Sequence, residues 1–303
     1  MNSTKHSPEN TPVIVSCCRT AIGRSDLAEG VFRKVRGDEL CAFVVKEAVS
    51  RGCVSPEHIE EVVVGVTQQR GELGGNVARS ISLLAGLPST AAASTTNRLC
   101  GSSLQGVAQA CHSIMAGAED VHVVAGVEHM QHLPMDSEID FHPRSFSGSS
   151  RAVLSMGLTA EYLAASRGIS RRLQEEYALE SHRRATHATE TGFFKKEIIA
   201  CPGLNIDGVF TVVDRDQSIR SDTSLAAMDR LSPAFLPRIG SVTAATSAPL
   251  SDGAAAMVVM SEAAARRYGL TPLVRVVSTA VVGVSPALMG LGPVYATRKV
   301  LHR

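Results

Sequence analysis

The stretch Thr95-Thr96-Asn97-Arg98-Leu99-Cys100-Gly101-Ser102-Ser103 joins a β-prone run to a helix, with a cysteine at the junction. Residues 91–96 are small and β-branched, and residues 104–115 carry apolar side chains at helical spacing up to Gly117. Cys100 is therefore expected at a strand-to-helix elbow, presented above the sheet edge. There the positive end of the helix favours a thiolate over a thiol. Gly101 leaves room for a substrate carbonyl, and the N–H groups of the first turn are candidate oxyanion donors. The competing reading is that Cys100 is one of seven small buried hydrophobes with Cys17, Cys18, Cys41, Cys53, Cys111 and Cys201.

Working outward, the chain alternates strands and helices. Residues 13–16 read as a first strand, and Asp38 as the cap of a helix through Leu40, Phe43, Val44 and Ala48 to Gly52. Residues 60–66 read as a strand whose three consecutive valines imply burial on both faces. Asn76 opens a helix to Gly86, and strands follow at 91–96 and 121–125. This order implies a mostly parallel sheet with helices on both faces, an α/β fold. The helix after Cys100 has almost no charged face and is expected to be covered on all sides. His112 lies about three turns down that helix, too far to act as a base for Cys100.

From residue 127 to 248 the pattern changes. Residues 130–150 are irregular, residues 159–167 and 170–191 read as helices, and the alternating charges of the second mark a solvated face. Asp252-Gly253 then turns the chain into a strand at 255–260, Ser261 caps a short helix, residues 273–284 read as another strand, and residues 297–303 as the start of a helix.

Composition excludes some classes of function. The formal net charge over 303 residues is +1, with acids and bases interspersed, so nothing points to nucleic acid or an anionic membrane surface. No apolar run reaches the about eighteen residues of a membrane span, and the polar first residues are not a signal peptide. An odd cysteine count without framework spacing points to reduced thiols and a cytoplasmic setting. Cys17 and Cys18 are adjacent in a strand and face opposite ways, which argues against metal ligation by that pair; no metal is expected.

Asn97-Arg98-Leu99-Cys100-Gly101-Ser102-Ser103 resembles the acyl-cysteine motif of thiolases. Val13-Ile14-Val15 with Arg19-Thr20-Ala21-Ile22-Gly23 is similar to that family's amino-terminal signature, with Ala21 where proline is common. Gly126-Val127-Glu128-His129-Met130 and Asp140-Phe141-His142-Pro143 resemble its fatty-acid-oxidation branch, the 3-ketoacyl-CoA thiolases. Met156-Gly157-Leu158-Thr159-Ala160-Glu161 and Leu250-Ser251-Asp252-Gly253-Ala254-Ala255-Ala256 follow in the family's order.

The resemblance implies an αβαβα sandwich with residues 1–126 and 249–270 as the amino-terminal core, 127–248 as a loop domain covering CoA, and 271–303 as the start of a second half that is largely missing. It implies an acyltransferase in which Cys100 forms an acyl-cysteine and CoA is co-substrate, with no further cofactor. Arg220 is the candidate contact to the nucleotide part of CoA, since guanidinium stacks and pairs with phosphate; the alternative is a solvated surface arginine. Ser247 and Met156 are further candidate CoA contacts. A homodimer, and pairing with a hydratase/dehydrogenase subunit, are also implied.

Some departures stand out. Ala245 and Ala248 occupy positions where the family tends to carry glycine and a pantetheine-contacting serine, for which Ser247 is the candidate substitute, and Ser232 stands where arginine is common. The Asn-Glu-Ala-Phe, Gly-His-Pro and Cys-x-Gly motifs that supply the family's asparagine, histidine and second cysteine are not found toward the carboxyl end, and roughly a quarter of a family-length chain is absent. Three functions are therefore expected in order: a 3-ketoacyl-CoA thiolase, a non-catalytic acyl-CoA-binding or subunit-interaction remnant, and, disfavoured by the 126–130 and 140–143 matches, a ketoacyl synthase. Absence of the second half would leave an apolar patch of several hundred Å² on the helix after Cys100.

Overall fold

The computed structural model describes residues 8–135, 139–146, 148 and 150–303. Parts of the polar start and of the irregular 130–150 stretch lie outside these. In chain order the elements are β1 (Pro12–Arg19), β2 (Gly23–Arg24), α1 (Gly37–Arg51), β3 (Glu61–Gly65), α2 (Val77–Leu84), β4 (Ala92–Thr96), α3 (Ser102–Ala116) and β5 (Val121–His129). There follow α4 (Met156–Arg167), α5 (Arg171–Glu190), β6 (Cys201–Leu204), β7 (Phe210–Val213), α6 (Leu225–Asp229), β8 (Ser251–Ser261), α7 (Glu262–Arg267), β9 (Val274–Arg275) and α8 (Gly292–Leu301), with short 3-10 turns between.

The chain divides into two compact units. The first holds Met1–Met135, Gly192–Ser218 and Leu250–Val277, the second Asp136–Thr191, Ile219–Pro249 and Ser278–Arg303. Segment 192–218, read from sequence as part of the 127–248 excursion, packs with the first unit: Ile198, Ile199, Cys201 and Val213 enter its core, and Arg19 grips the segment from outside. The Arg19 guanidinium meets Glu197 at 2.8 Å and Asp216 at 2.7 and 3.0 Å, and Asp216 also accepts the Ile22 N–H.

The first unit is built on one sheet in the order β4-β3-β5-β8-β1-β9, with β2 beside β8. It is mixed, not mostly parallel. β3 runs parallel to β4 and β5, whereas β8 is antiparallel to β5 and β1, and β9 to β1. Parallel pairing occurs where a crossover helix joins the strands in sequence, α2 between β3 and β4 and α3 between β4 and β5. β8 arrives after the long excursion without such a constraint and takes the slot between β5 and β1.

Alternation along the strands sorts side chains to two faces. Val62, Val64, Val121, Val123, Ala125, Val258 and Met260 face α1 and α2; Val124 and Val259 face α3 with Val107, Ala110, Cys111 and Ile114. Val62, Val63 and Val64 are all buried, as the run of valines implies. α3 is covered on its sheet side, but Leu104 is 74% exposed, so the expectation of cover all round does not hold among the described residues.

Three local readings are corrected. Asp38 does not cap α1: Arg36 is the capping residue, Asp38 sits in the first turn as its bidentate partner at 2.9 and 2.7 Å, and the Glu72 carboxylate takes the Gly37 N–H at 2.7 Å. Asp252 and Gly253 lie inside β8, opposite His129 and Glu128, not in a turn. Residues 273–284 yield only β9, because β1 offers pairing partners there at Val13 and Ile14 alone.

The Glu72 carboxylate belongs to a charged cluster at the end of β5. His132 Nδ1 lies 3.0 Å from Glu72 and its Nε2 3.1 Å from the Arg33 carbonyl, so both ring nitrogens face acceptors. The ring stacks on His129 at 3.8 Å. His129 Nδ1 accepts the His132 N–H, leaving Nε2–H to donate to the Phe32 carbonyl. Burial opposes charge on His132, yet the Glu72 and Arg33 hydrogen bonds outweigh it and raise its pKa above 6.5. Burial also raises the Asp252 carboxyl, whose Oδ2 has no hydrogen-bond partner among the described residues.

Two predictions follow from this packing. The fold holds the His132 proton more tightly than the unfolded chain does, so its stabilisation is complete below pH 6.5 and is lost as pH rises through the raised value. Burial lowers the pKa of His122, a cost that sets in as pH falls through 6.5 and offsets part of the His132 gain at the acid end of the range, in native chain and variant alike. The urea-unfolding midpoint therefore drops between about pH 6 and about pH 8, and the drop shrinks in His132→Gln. The other concerns the seat of α3. A Cβ on Gly65 would lie 2.5 Å from the Ser102 carbonyl carbon and 2.7 Å from Ser103 Cα, both backbone atoms. Gly65→Ala is expected to lower stability by about 1–3 kcal/mol by lifting the helix start, as read by thermal melting.

Candidate functional site

Cys100 sits where the sequence places it, between the end of β4 and the start of α3, and is exposed. The first turn of α3 rests directly on the sheet. Gly65 and Gly126 are paired across β3 and β5, and Ser103 occupies the space above them; a Cβ on Gly126 would run into the Ser103 side chain, with its Cβ at 2.9 Å. Helix and sheet are thus in van der Waals contact immediately after the cysteine.

The elbow is held by hydrogen bonds. Ser102 Oγ accepts the Arg98 N–H at 2.8 Å and donates to the Leu99 carbonyl at 2.5 Å. The Gly101 N–H donates to the Arg98 carbonyl and the Ser102 N–H to the Leu99 carbonyl. Those two N–H groups, expected as oxyanion donors, are committed to the turn itself. Leu99 has φ +48°, one of three non-glycine residues with positive φ among those described.

The other cysteines divide clearly. Cys18, Cys41, Cys111 and Cys201 are buried, and burial pushes the Cys18 thiol up to about 12 and those of Cys111 and Cys201 to about 11, so none is a ready thiolate. Cys201-Pro202-Gly203 has the literal Cys-x-Gly spacing, but that thiol is shut inside β6. Cys17 and Cys53 are exposed, and Cys17 faces away from Cys18 as the strand pleat requires.

Arg220, Ser247 and Met156 belong to the second unit, Cys100 to the first. Arg220 is exposed, and its backbone N–H donates to His182 Nδ1. Ser247 Oγ donates to the Thr243 carbonyl at 2.8 Å, leaving its lone pairs to accept. Met156 opens α4 and is 44% exposed. The Met156–Glu161 motif also contains a structural element that sequence reading missed. Glu161, buried on α4, takes the N–H groups of Ser241 and Val242 at 2.9 Å and so fixes the approach to the 243–248 loop.

Ligand atoms of Glu72, His129 and His132 lie within 4.8 Å of one another. They do not form a good ligand set. The two imidazoles are stacked at 15°, so their in-plane lone pairs run side by side without converging, and all four ring nitrogens already have hydrogen-bond partners. Among the described residues no helix is long and apolar enough to cross a membrane.

Comparison with known proteins gives the family. The thiolase N-terminal domain matches residues 12–263. The 3-ketoacyl-CoA thiolase of Photobacterium profundum is 48% identical over 295 residues, covering 97% of this chain and 76% of that protein. The 3-ketoacyl-CoA thiolase of Vibrio cholerae is likewise 48% identical, with the same coverage. The crystal structure of the Bacillus anthracis acetyl-CoA acetyltransferase superposes with a TM-score of 0.84 at 34% identity, over 96% of this chain and 76% of that one. With its elbow cysteine, its mixed sheet and these matches over nearly its whole length, the chain belongs to the thiolase family of acyltransferases.

Proposed function

We propose that the chain cleaves 3-ketoacyl-CoA with CoA, giving acetyl-CoA and an acyl-CoA shorter by two carbons, in fatty-acid β-oxidation. Cys100 Sγ attacks the C3 ketone, the C2–C3 bond breaks, and acetyl-CoA departs as its enolate and takes a proton at C2. The thiol of incoming CoA then attacks the acyl-cysteine and returns Cys100 as its thiol. The observation that carries the reading is an exposed cysteine at the start of a helix pressed onto the sheet, in a chain nearly half identical to proteins named for this activity.

In this reading the CoA contacts come from the part of the 127–248 excursion that belongs to the second unit. Arg220 pairs with the phosphates, and Ser247 and Met156 line the pantetheine path. The support is the exposed Arg220 side chain, the free acceptor capacity of Ser247 and the half-exposed Met156 thioether. CoA is co-substrate and no resident cofactor is needed. The same reading carries a homodimer, association with a hydratase/dehydrogenase subunit and a cytoplasmic setting, the last supported by cysteines that are all free.

A second reading, a catalytically impaired acyl-CoA-binding or subunit-interaction protein, is favoured by one observation. Among the described residues no side chain is hydrogen-bonded to the Cys100 sulfur. Lacking a positioned base, proton transfer slows by roughly 10²- to 10⁴-fold.

CoA-dependent loss of 3-ketoacyl-CoA, followed through its Mg²⁺-enolate absorbance, separates the two. Thiolase action predicts turnover that vanishes in Cys100→Ala. Stoichiometric acylation without turnover favours the remnant, and equal turnover in both proteins overturns the nucleophile assignment.

A further inference from the structure

Leu99, directly before Cys100, occupies the left-handed region at φ +48°. A γ-branched side chain is seldom found there, and such a conformation costs on the order of 1–3 kcal/mol unless its surroundings impose it. Here both of its backbone polar groups are pinned. The Leu99 N–H donates to Asn97 Oδ1 at 2.8 Å, while its carbonyl accepts the Ser102 N–H at 2.9 Å and the Ser102 hydroxyl at 2.5 Å.

The Asn97 amide is used at both ends. Its Nδ2 donates to the Thr67 carbonyl at 3.0 Å, tying the elbow to the loop that leaves β3. That loop is held in turn by Glu128, near the end of β5. One carboxylate oxygen takes the Thr67 N–H at 2.9 Å and the other the Gln68 N–H at 3.1 Å. Asn97 is exposed, so packing does not account for its placement. A run of hydrogen bonds thus links Glu128, Thr67, Asn97 and Leu99, the residue bonded through its carbonyl carbon to Cys100.

We propose that Asn97, and behind it Glu128, are positioning residues that hold Leu99 left-handed and so fix the direction in which the Cys100 sulfur leaves the elbow. The proposal rests on Cys100 being the nucleophile. Asn97 orients Leu99 directly, and Glu128 keeps the Thr67 carbonyl where Asn97 can reach it. The Asn97 Oδ1 contact matters most, because it is the one that reaches Leu99. Asn97→Asp preserves this acceptor but sets a carboxylate oxygen against the Thr67 carbonyl in place of the Nδ2 donor. Asn97→Ala gives up both.

The test compares native chain, Asn97→Ala, Asn97→Asp and Glu128→Gln. Three quantities are measured: thermal melting, kcat and KM for thiolysis, and alkylation of Cys100 by iodoacetamide. Alkylation is read by peptide mass against exposed Cys53 in the same sample. Misplacement of a reacting atom by about 1 Å costs about 10²-fold, so Asn97→Ala is expected to lose roughly 10- to 100-fold in kcat. KM, melting temperature and Cys53 alkylation stay unchanged, and Cys100 alkylation slows several-fold. Asn97→Asp, which keeps the Leu99 contact, recovers part of the loss, and Glu128→Gln falls between the native chain and Asn97→Ala.

Native kcat and native Cys100 alkylation in Asn97→Ala would overturn the proposal, as would parallel changes at Cys53 or in melting temperature. A native chain that does not turn over while Cys100 still alkylates would count against thiolase action. The positioning role is then decided by the alkylation ratio alone.

Discussion

The structure depends on a close approach between helix and sheet. Where β3 and β5 run side by side, Gly65 and Gly126 face each other, and the first turn of α3 lowers Ser103 into the space they leave. Any side chain at either position would lift the helix start. The approach lets β4 end, turn at Leu99 and re-enter as a helix with almost no intervening loop. Cys100 is therefore presented at the rim instead of being carried on a mobile segment. The apolar flank of α3, from Val107 to Ile114, closes the same face further along.

Charged groups organise the rim around this seat. Glu72 binds the start of α1 and His132 together, His129 and Asp252 face each other across β5 and β8, and Arg19 draws segment 192–218 onto the first unit through Glu197 and Asp216. These contacts are not the chief source of stability, which resides in the valine-rich core. They determine which loop lies where, since losing one partner of a half-buried pair leaves the other desolvated. Glu161 does the same in the second unit for the backbone of Ser241 and Val242.

Much of the architecture is legible along the chain because local signals and packing agree. The alternation of strands and helices, the triple valine of β3, the Asn76 and Ser261 helix starts and the cysteine elbow all recur in space. The failures have common physical causes. Asp38 looks like a cap, but a long-range carboxylate, Glu72, satisfies the helix start, and no local pattern encodes that. The Asp252-Gly253 pair looks like a turn, yet β5 and β2 offer partners that extend the strand through it. The βα alternation implies a parallel sheet, but it does not register a strand returning from a long excursion. The Asn97 and Glu128 contacts involve residues visible in the motifs, but their pairing joins three separate segments. The positive φ of Leu99 had no residue-type signal, since leucine does not advertise it.

The central claim is that the exposed sulfur at the start of α3 is the group that accepts the acyl chain. Mixing the intact protein with acetyl-CoA, followed by peptide mass mapping at neutral pH, tests this most directly. The account predicts a single added acetyl group on the peptide bearing Cys100, removed again by free CoA. An acetyl group found on Cys17 or Cys53, or on no cysteine at all, would contradict it.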